Sequence, residues 1–381
     1  MKNLKILVVV LLAIGLATAG SGCGSSSGSS SGSQVSSGLN ALPPANLTVS
    51  NVGSAASQAI DGANVQPPSD VSSITSSTVS NVGSPSIPTL SYMVNNLGSK
   101  NVIVKPQSMK GNVVNGLAIF KQAATSGSCL PTSYSSTGGS GTVNVTATWN
   151  NVSCTMSTTT LTINGTISVT GTYDTTLGSV NITETENISF NESDPTSGTI
   201  AISLNGSETI TAAGIVAGAT SVTYAEKGKA NISATITSPN GSGSVTGWID
   251  IDDTFTGTPN QLVYAFKDGT EISSGGAKFG TYGIGTITMT TSGSPVTAIT
   301  VNGGGTYGVT TSSGTSYYSG KVSVAYANIV FDPGVCSGYP SAGTLTVTAN
   351  NTFVFTFDGQ SCGCAMVSEN GGTATQDCSI Y

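Results

Sequence analysis

"LTINGTISVTGTY", residues Leu161–Tyr173, decides the fold. Leu161, Ile163, Ile167, Val169 and Tyr173 fall on one phase of a two-residue period, with Gly165 in the gap. Thr, Ser and Asn fill the other phase. A β-strand sends successive side chains to opposite faces, so this pattern predicts a strand with one buried face and one wet face. It holds one phase for 13 residues, against a usual strand of about five or six.

The same pattern recurs on both sides. Upstream, Val143, Val145, Ala147 and Trp149 alternate with polar residues. Downstream come Val180/Ile182/Ile188/Phe190, Ile200/Ile202/Leu204/Ile210, Val222/Tyr224/Ile232/Ile236 and Val245/Ile249/Ile251/Phe255. Later runs are Val322/Val324/Tyr326/Val330, Leu345/Val347 and Phe353/Phe355/Phe357. Turn chemistry separates them: "YDTTLGS", "NESDPTSG", "SPNGSG" and "TSGSPV". The expected fold is mainly β: a long-stranded antiparallel meander forming a curled sheet, a barrel or a sandwich. A membrane-spanning barrel is opposed by the low aromatic content, 6%, which forms no visible girdles, and by the cysteines.

Outside this body the chain changes character. Lys2 and Lys5 precede the apolar run Ile6–Leu16, and small residues follow. That is the layout of a secretory signal, and the run is short of the roughly 20 residues a spanning helix needs. Cleavage after Ala19 is one reading. The other rests on "Gly20-Ser21-Gly22-Cys23", which resembles the lipobox of bacterial lipoproteins, with Gly20 where a Leu-like residue is usual. The resemblance implies that Cys23 becomes the new N-terminus and carries lipid on its sulfur. Gly24 after it, rather than Asp, implies the outer membrane by the same resemblance. The expected organisation is a signal peptide at 1–22 and the lipidated Cys23 with a Gly/Ser tether over 23–40. A low-complexity linker with short helices follows at 41–125, and an antiparallel β domain at 126–381. The short helices are expected over Pro88–Gly98 and Val113–Ala124.

Seven cysteines are present: Cys23, Cys129, Cys154, Cys336, Cys362, Cys364 and Cys378. With Cys23 lipidated, six remain. Export places them in an oxidising compartment, so three disulfides are expected. Cys129–Cys154 is the simplest pair. Cys362 and Cys364 sit too close to favour each other, and each is expected to take one of Cys336 and Cys378.

Composition excludes several chemistries. There is no histidine, and all 11 basic residues are lysines. Ser-His-Asp and Cys-His catalysis, histidine-ligated zinc or haem, and bidentate guanidinium clamps are therefore ruled out. Without Lys2 and Lys5 the mature chain carries 9 lysines against 18 acids, a formal charge of −9. A nucleic-acid partner needs a basic face and is not expected.

Carboxylates remain, and 12 of the 18 acids lie between Asp174 and Glu271. Glu184, Glu186, Glu208, Glu226 and Asp253 fall on the apolar phase of their strands. Simple hairpins would set Glu226 opposite Asp253 across the turn at Pro239-Asn240-Gly241, with Glu208 near Tyr224. Acids on that phase are costly unless solvated, paired, protonated or metal-bound. The leading expectation is a bent or open face that solvates them. The alternatives are a cation site at Glu208, Glu226 and Asp253, for which calcium would be the ion, and a two-carboxylate glycosidase-type centre. No other cofactor and no catalytic residue is expected. The expected function is a non-enzymatic cell-envelope lipoprotein, a structural, adhesive or assembly module. It would meet the membrane through its lipid, and envelope proteins or surface glycans through its β-surface. A carrier of an apolar ligand inside the sheet and a carboxylate-based surface hydrolase are the alternatives.

Overall fold

The computed structural model describes residues 34–53, 55–56 and, apart from gaps of one to eight residues, 131–378. Helix α1 (Gln34–Ala41) comes first. Fifteen strands follow: β1 (Ser133–Ser136), β2 (Thr142–Met156), β3 (Thr159–Asp174), β4 (Ser179–Asp194) and β5 (Gly198–Ala213). Next are β6 (Val222–Ser238), β7 (Gly241–Thr258), β8 (Gln261–Ser274), β9 (Ala277–Ser292) and β10 (Ala298–Thr310). The last are β11 (Gly320–Phe331), β12 (Pro340–Thr348), β13 (Thr352–Phe357), β14 (Ala365–Glu369) and β15 (Thr375–Asp377). All belong to one antiparallel sheet whose spatial order is the chain order. Among the described residues no pairing joins β1 to β15, so the meander is a single open sheet, neither sandwich nor closed barrel.

Strands of 16 residues, as in β3, β4 and β5, run for about 50 Å at the usual rise. Strand twist accumulates with each neighbour, and open sheets beyond about ten strands curl rather than stay flat. The burial pattern fits a curled sheet. One phase is buried from β2 to β14, with Ile163, Val169, Phe255, Val301, Leu345 and Phe355 among the residues withdrawn from water. The other phase of β2–β6 is mostly exposed or half-exposed Thr, Ser and Asn. The first phase is called the inner face below, and the second the outer face.

The alternation stays in register because irregular residues are placed where it must slip. Asn151 adopts φ 51° where the β2–β3 register shifts between Trp149 and Val152. Asn328 adopts φ 52° at the shift between Ala327 and Val330. Asparagine tolerates this left-handed region better than other side chains do, and a bulge there adds one residue without flipping the faces.

Strands β8–β10 were absent from the sequence expectation. In β9 and β10 the inner phase is interrupted by Gly283, Gly285, Gly303 and Gly305, which hides the alternation, while β8 keeps Leu262, Tyr264 and Phe266 on one phase. The glycines make room for rings: a Cβ on Gly285 would lie 2.5 Å from Phe266 Cζ and 2.7 Å from Gly305 Cα. Phe266 and Tyr307 stack over that gap with centroids 5.5 Å apart.

The N-terminal segment also differs from expectation. The tether reading ended at 40 and the linker began at 41, yet residues 34–56 pack on the sheet. Val35, Leu39 and Leu42 bury against Tyr282 on the outer face of β8–β10. The chain then runs beside Lys321 of β11, with Ala45 N–H donating to Lys321 O and Lys321 N–H donating to Pro43 O. Beyond it, Ala45, Leu47, Val52, Ala55 and Ala56 join the inner core. Asn350 fastens this strap, its Oδ1 accepting from Leu47 N–H at 2.7 Å. Small alanines let the strap pass close to the sheet, and a Ser/Pro-rich setting disguised them. The short helices expected over Pro88–Gly98 and Val113–Ala124 lie outside the described residues.

Candidate functional site

The inner face of β4–β8 carries acids in the middle of long strands. From β4 to β7 an unbroken register holds them. β5 and β6 pair from Thr199↔Thr237 through Ala213↔Thr223, and β6 and β7 from Val222↔Gly257 through Ser238↔Gly241. Glu226 stands directly across from Asp253, as the hairpin at Pro239–Gly241 implied. Glu208 does not lie near Tyr224. It faces Gly228 on one side and Glu184 on the other. The physical reason is the connection between Ala213 and Thr223, which is longer than a tight turn and moves the register along the strand. Two acid pairs, Glu184–Glu208 and Glu226–Asp253, thus occupy neighbouring rows of one face.

These acids are not solvated. Glu226 and Asp253 are each 1% exposed and Glu208 is 3% exposed. Glu184, Glu186 and Asp268 are buried as well. The β5–β6 and β6–β7 registers run through these positions without a bulge, while the β7–β8 pairing lapses between Asp250↔Gly269 and Thr254↔Ala265, beside Asp253 and Asp268; the acids are buried there nonetheless. Tyrosines supply part of what water would have done. Tyr224 Oη donates to Glu226 Oε2 at 2.7 Å, and Tyr264 Oη donates to Asp253 Oδ2 at 3.0 Å. Burial, then the neighbouring Asp253 and Asp268 carboxyls, push the Tyr264 hydroxyl well above its ordinary value, so it stays a donor.

Sequence reasoning missed Asp268 and the tyrosines. Asp268 shares the phase of Tyr264 and Phe266, which was the available signal. The tyrosines belong to a stacked series: Phe255–Tyr264 at 4.3 Å, Tyr264–Phe266 at 5.3 Å and Phe266–Tyr307 at 5.5 Å between centroids. Tyr307 and Tyr326 hydroxyls end it 3.4 Å apart. Burial raises both hydroxyls above the ordinary tyrosine range.

The outer face is chemically different. Asp250 and Asp252 lie there, opposite in phase to Asp253, as alternation required. Asp252 pairs with Lys227 at 3.0 Å, Asp250 with Lys229 at 3.7 Å, and Glu271 with Lys278 at 3.1 Å. Toward β2 the charges stop. Thr146, Ser168, Thr185 and Ser207 stand side by side in register, beside Asn144, Thr170, Thr183 and Thr209.

Among the described residues no group of three or more acids or cysteines is arranged to hold a metal ion. Of the candidate cation residues, Glu226 and Asp253 come together, while Glu208 sits in the adjoining row. Cys336–Cys362 and Cys364–Cys378 are disulfides, the division expected for the close pair Cys362 and Cys364. Cys154 lies on β2 across from Leu161; its side chain, with Cys23 and Cys129, lies outside the described residues. No protein-family model, no curated protein and no solved structure matches the chain.

Proposed function

We propose that this chain is a non-enzymatic, lipid-anchored module of the cell envelope that works through its surface, holding or adhering to another envelope component. The contrast between its two faces carries the reading. Of the residues that would line a cavity for an apolar ligand, Ile163, Ile167, Val180 and Ile202 are buried and Val222 is half-buried against the core, which supports a packed inner face. The acids gain no support as a hydrolytic pair, because Glu226 and Asp253 are withdrawn from the surface a glycan could reach. The outer face of β2–β5 is a broad array of hydroxyls and amides with few charges. Such a face is suited to many weak hydrogen bonds with a hydroxyl-rich or amide-rich partner.

The disulfides agree with an exported protein, and Cys23 supplies the anchor in this reading. The test couples location to binding. The N-terminal peptide of the mature chain, weighed by mass spectrometry, should begin at an acylated Cys23, and Cys23→Ser should release the chain from membranes. Beads coated with the released chain should retain envelope polysaccharide or envelope protein. An extract containing a stoichiometric apolar ligand would instead establish the carrier.

A further inference from the structure

The five lysines of the described residues share one region. Lys227 and Lys229 lie on β6, Lys267 on β8, Lys278 on β9 and Lys321 on β11. Register places all five on the outer face. Lys267 pairs with Ile284 and Lys321 with Gly308; Ile284 packs with α1, and Gly308 lies against Leu39 and Leu42. No lysine occurs on β1–β5. Three acids share the region, each paired with one lysine; Asp252 is 44% exposed beside Lys227 at 61%, and the other two sit deeper than their cations. The Lys229 side chain is 67% exposed over Asp250 at 4%, and Lys278 is 62% exposed over Glu271 at 13%. The outermost groups are therefore ammonium groups, in a mature chain of net charge −9.

The same region holds the start of the folded chain. α1 begins at Gln34 and lies across the outer face of β8–β10. Ten residues, Gly24–Ser33, connect it to Cys23. Ten residues reach at most about 36 Å. A sheet whose strands are about 50 Å long cannot turn freely on so short a lead without bringing the face beside α1 to the anchor.

We infer that the lysine-bearing outer face of β6–β11, with α1 at its centre, is the surface that rests on an anionic lipid bilayer. This inference rests on the Cys23 anchor. Lipid and lysines act as two signals, the pairing that gives stable association where one alone is weak. The hydroxyl face of β2–β5, whose strands carry no lysine, is then left for a partner.

Lysine footprinting tests it on the full-length acylated chain. A water-soluble acylating reagent is applied to the chain in vesicles of phosphatidylethanolamine and phosphatidylglycerol, and to the same chain in neutral detergent micelles. Lys227, Lys229, Lys267, Lys278 and Lys321 should label several-fold more slowly on vesicles. Equal labelling in both, with the N-terminal peptide carrying lipid, would overturn this orientation and leave the anchor intact. An N-terminal peptide without lipid would overturn the anchor and the orientation together.

Discussion

The middle of the sheet and its C-terminal end solve the same problem differently. Strands β4–β7 are long, and acids interrupt their inner phase at Glu184, Glu208, Glu226 and Asp253. Strands β12–β14 are shorter, and the inner phase of β11–β14 is mostly apolar, with Val322, Val324, Leu345, Val347, Phe353, Phe355 and Val367 buried and only Ser341 and, at the end of β14, Glu369 interrupting it. The end lies beside the open edge at β15, where few neighbours contribute, and two disulfides bind it. Cys336–Cys362 ties the β11–β12 connection to the segment after β13, and Cys364–Cys378 closes the last hairpin. The middle has neighbours on both sides and tolerates buried carboxyls that tyrosines hold. Burial of apolar surface and crosslinking dominate where the sheet ends, and registry and hydrogen bonding dominate where it is continuous.

The largest effect should come from breaking the apolar end. Phe355→Ala removes a fully buried ring between Leu345 and Val367, and should cost about 3–5 kcal/mol in denaturant unfolding. Next, replacing Cys336 and Cys362 together by serine opens a loop with a sequence separation of 26. In the chain-entropy model that costs about 3–4 kcal/mol. If either change left stability within error, the end would not depend on its core and staples, and the contrast with the middle would collapse.

That contrast was partly legible in the sequence. Strict alternation placed β2–β7 and β11–β13, because a two-residue period survives any composition. The Glu226–Asp253 pairing was legible because Ser238 pairs with Gly241, so that only two residues separate the strands and the register follows from counting. Glu208 was misplaced because no rule counts the residues consumed between Ala213 and Thr223. Strands β9 and β10 were illegible because Gly283, Gly285, Gly303 and Gly305 stand where apolar residues would signal a strand, whereas β8, with Leu262, Tyr264 and Phe266 on one phase, carried a readable alternation that the expectation left out. The ring that needs Gly285 and Gly305, that of Phe266, comes from β8. The buried state of the acids was illegible for a similar reason. Solvation follows from what covers a face, and that is a property of the whole curl.

Tyr264→Phe sharpens the middle. It deletes the hydroxyl that donates to Asp253 and should cost about 1–3 kcal/mol at neutral pH. It should also change the alkaline limb. Tyr264, Tyr307 and Tyr326 all have hydroxyls raised above the ordinary value of 10.0, each chiefly by burial. A group raised in the folded state contributes stability that is complete below the unfolded value and lost as pH climbs through the folded one. The denaturation midpoint should therefore be level below pH 10 and fall above it, less steeply in Tyr264→Phe. A fall that was equally steep in the variant would remove Tyr264 from the set.

The smallest effect belongs to the outer face of the same strands. Thr209 is half-buried and its hydroxyl lies 3.1 Å from that of Thr183. Thr209→Val keeps the β-branched shape and removes only this bond, so stability of the isolated chain should change by less than about 0.5 kcal/mol. Tyr264 lies on the inner face of β8 and Thr209 on the outer face of β5, and Tyr264→Phe and Thr209→Val should differ severalfold. A Thr209→Val cost as large as that of Tyr264→Phe would mean that the outer face is covered and its hydroxyls are part of a second core. A small cost in solution joined to weaker retention of envelope material on beads would place Thr209 in a contact surface, since the bond matters there only once a partner has displaced water.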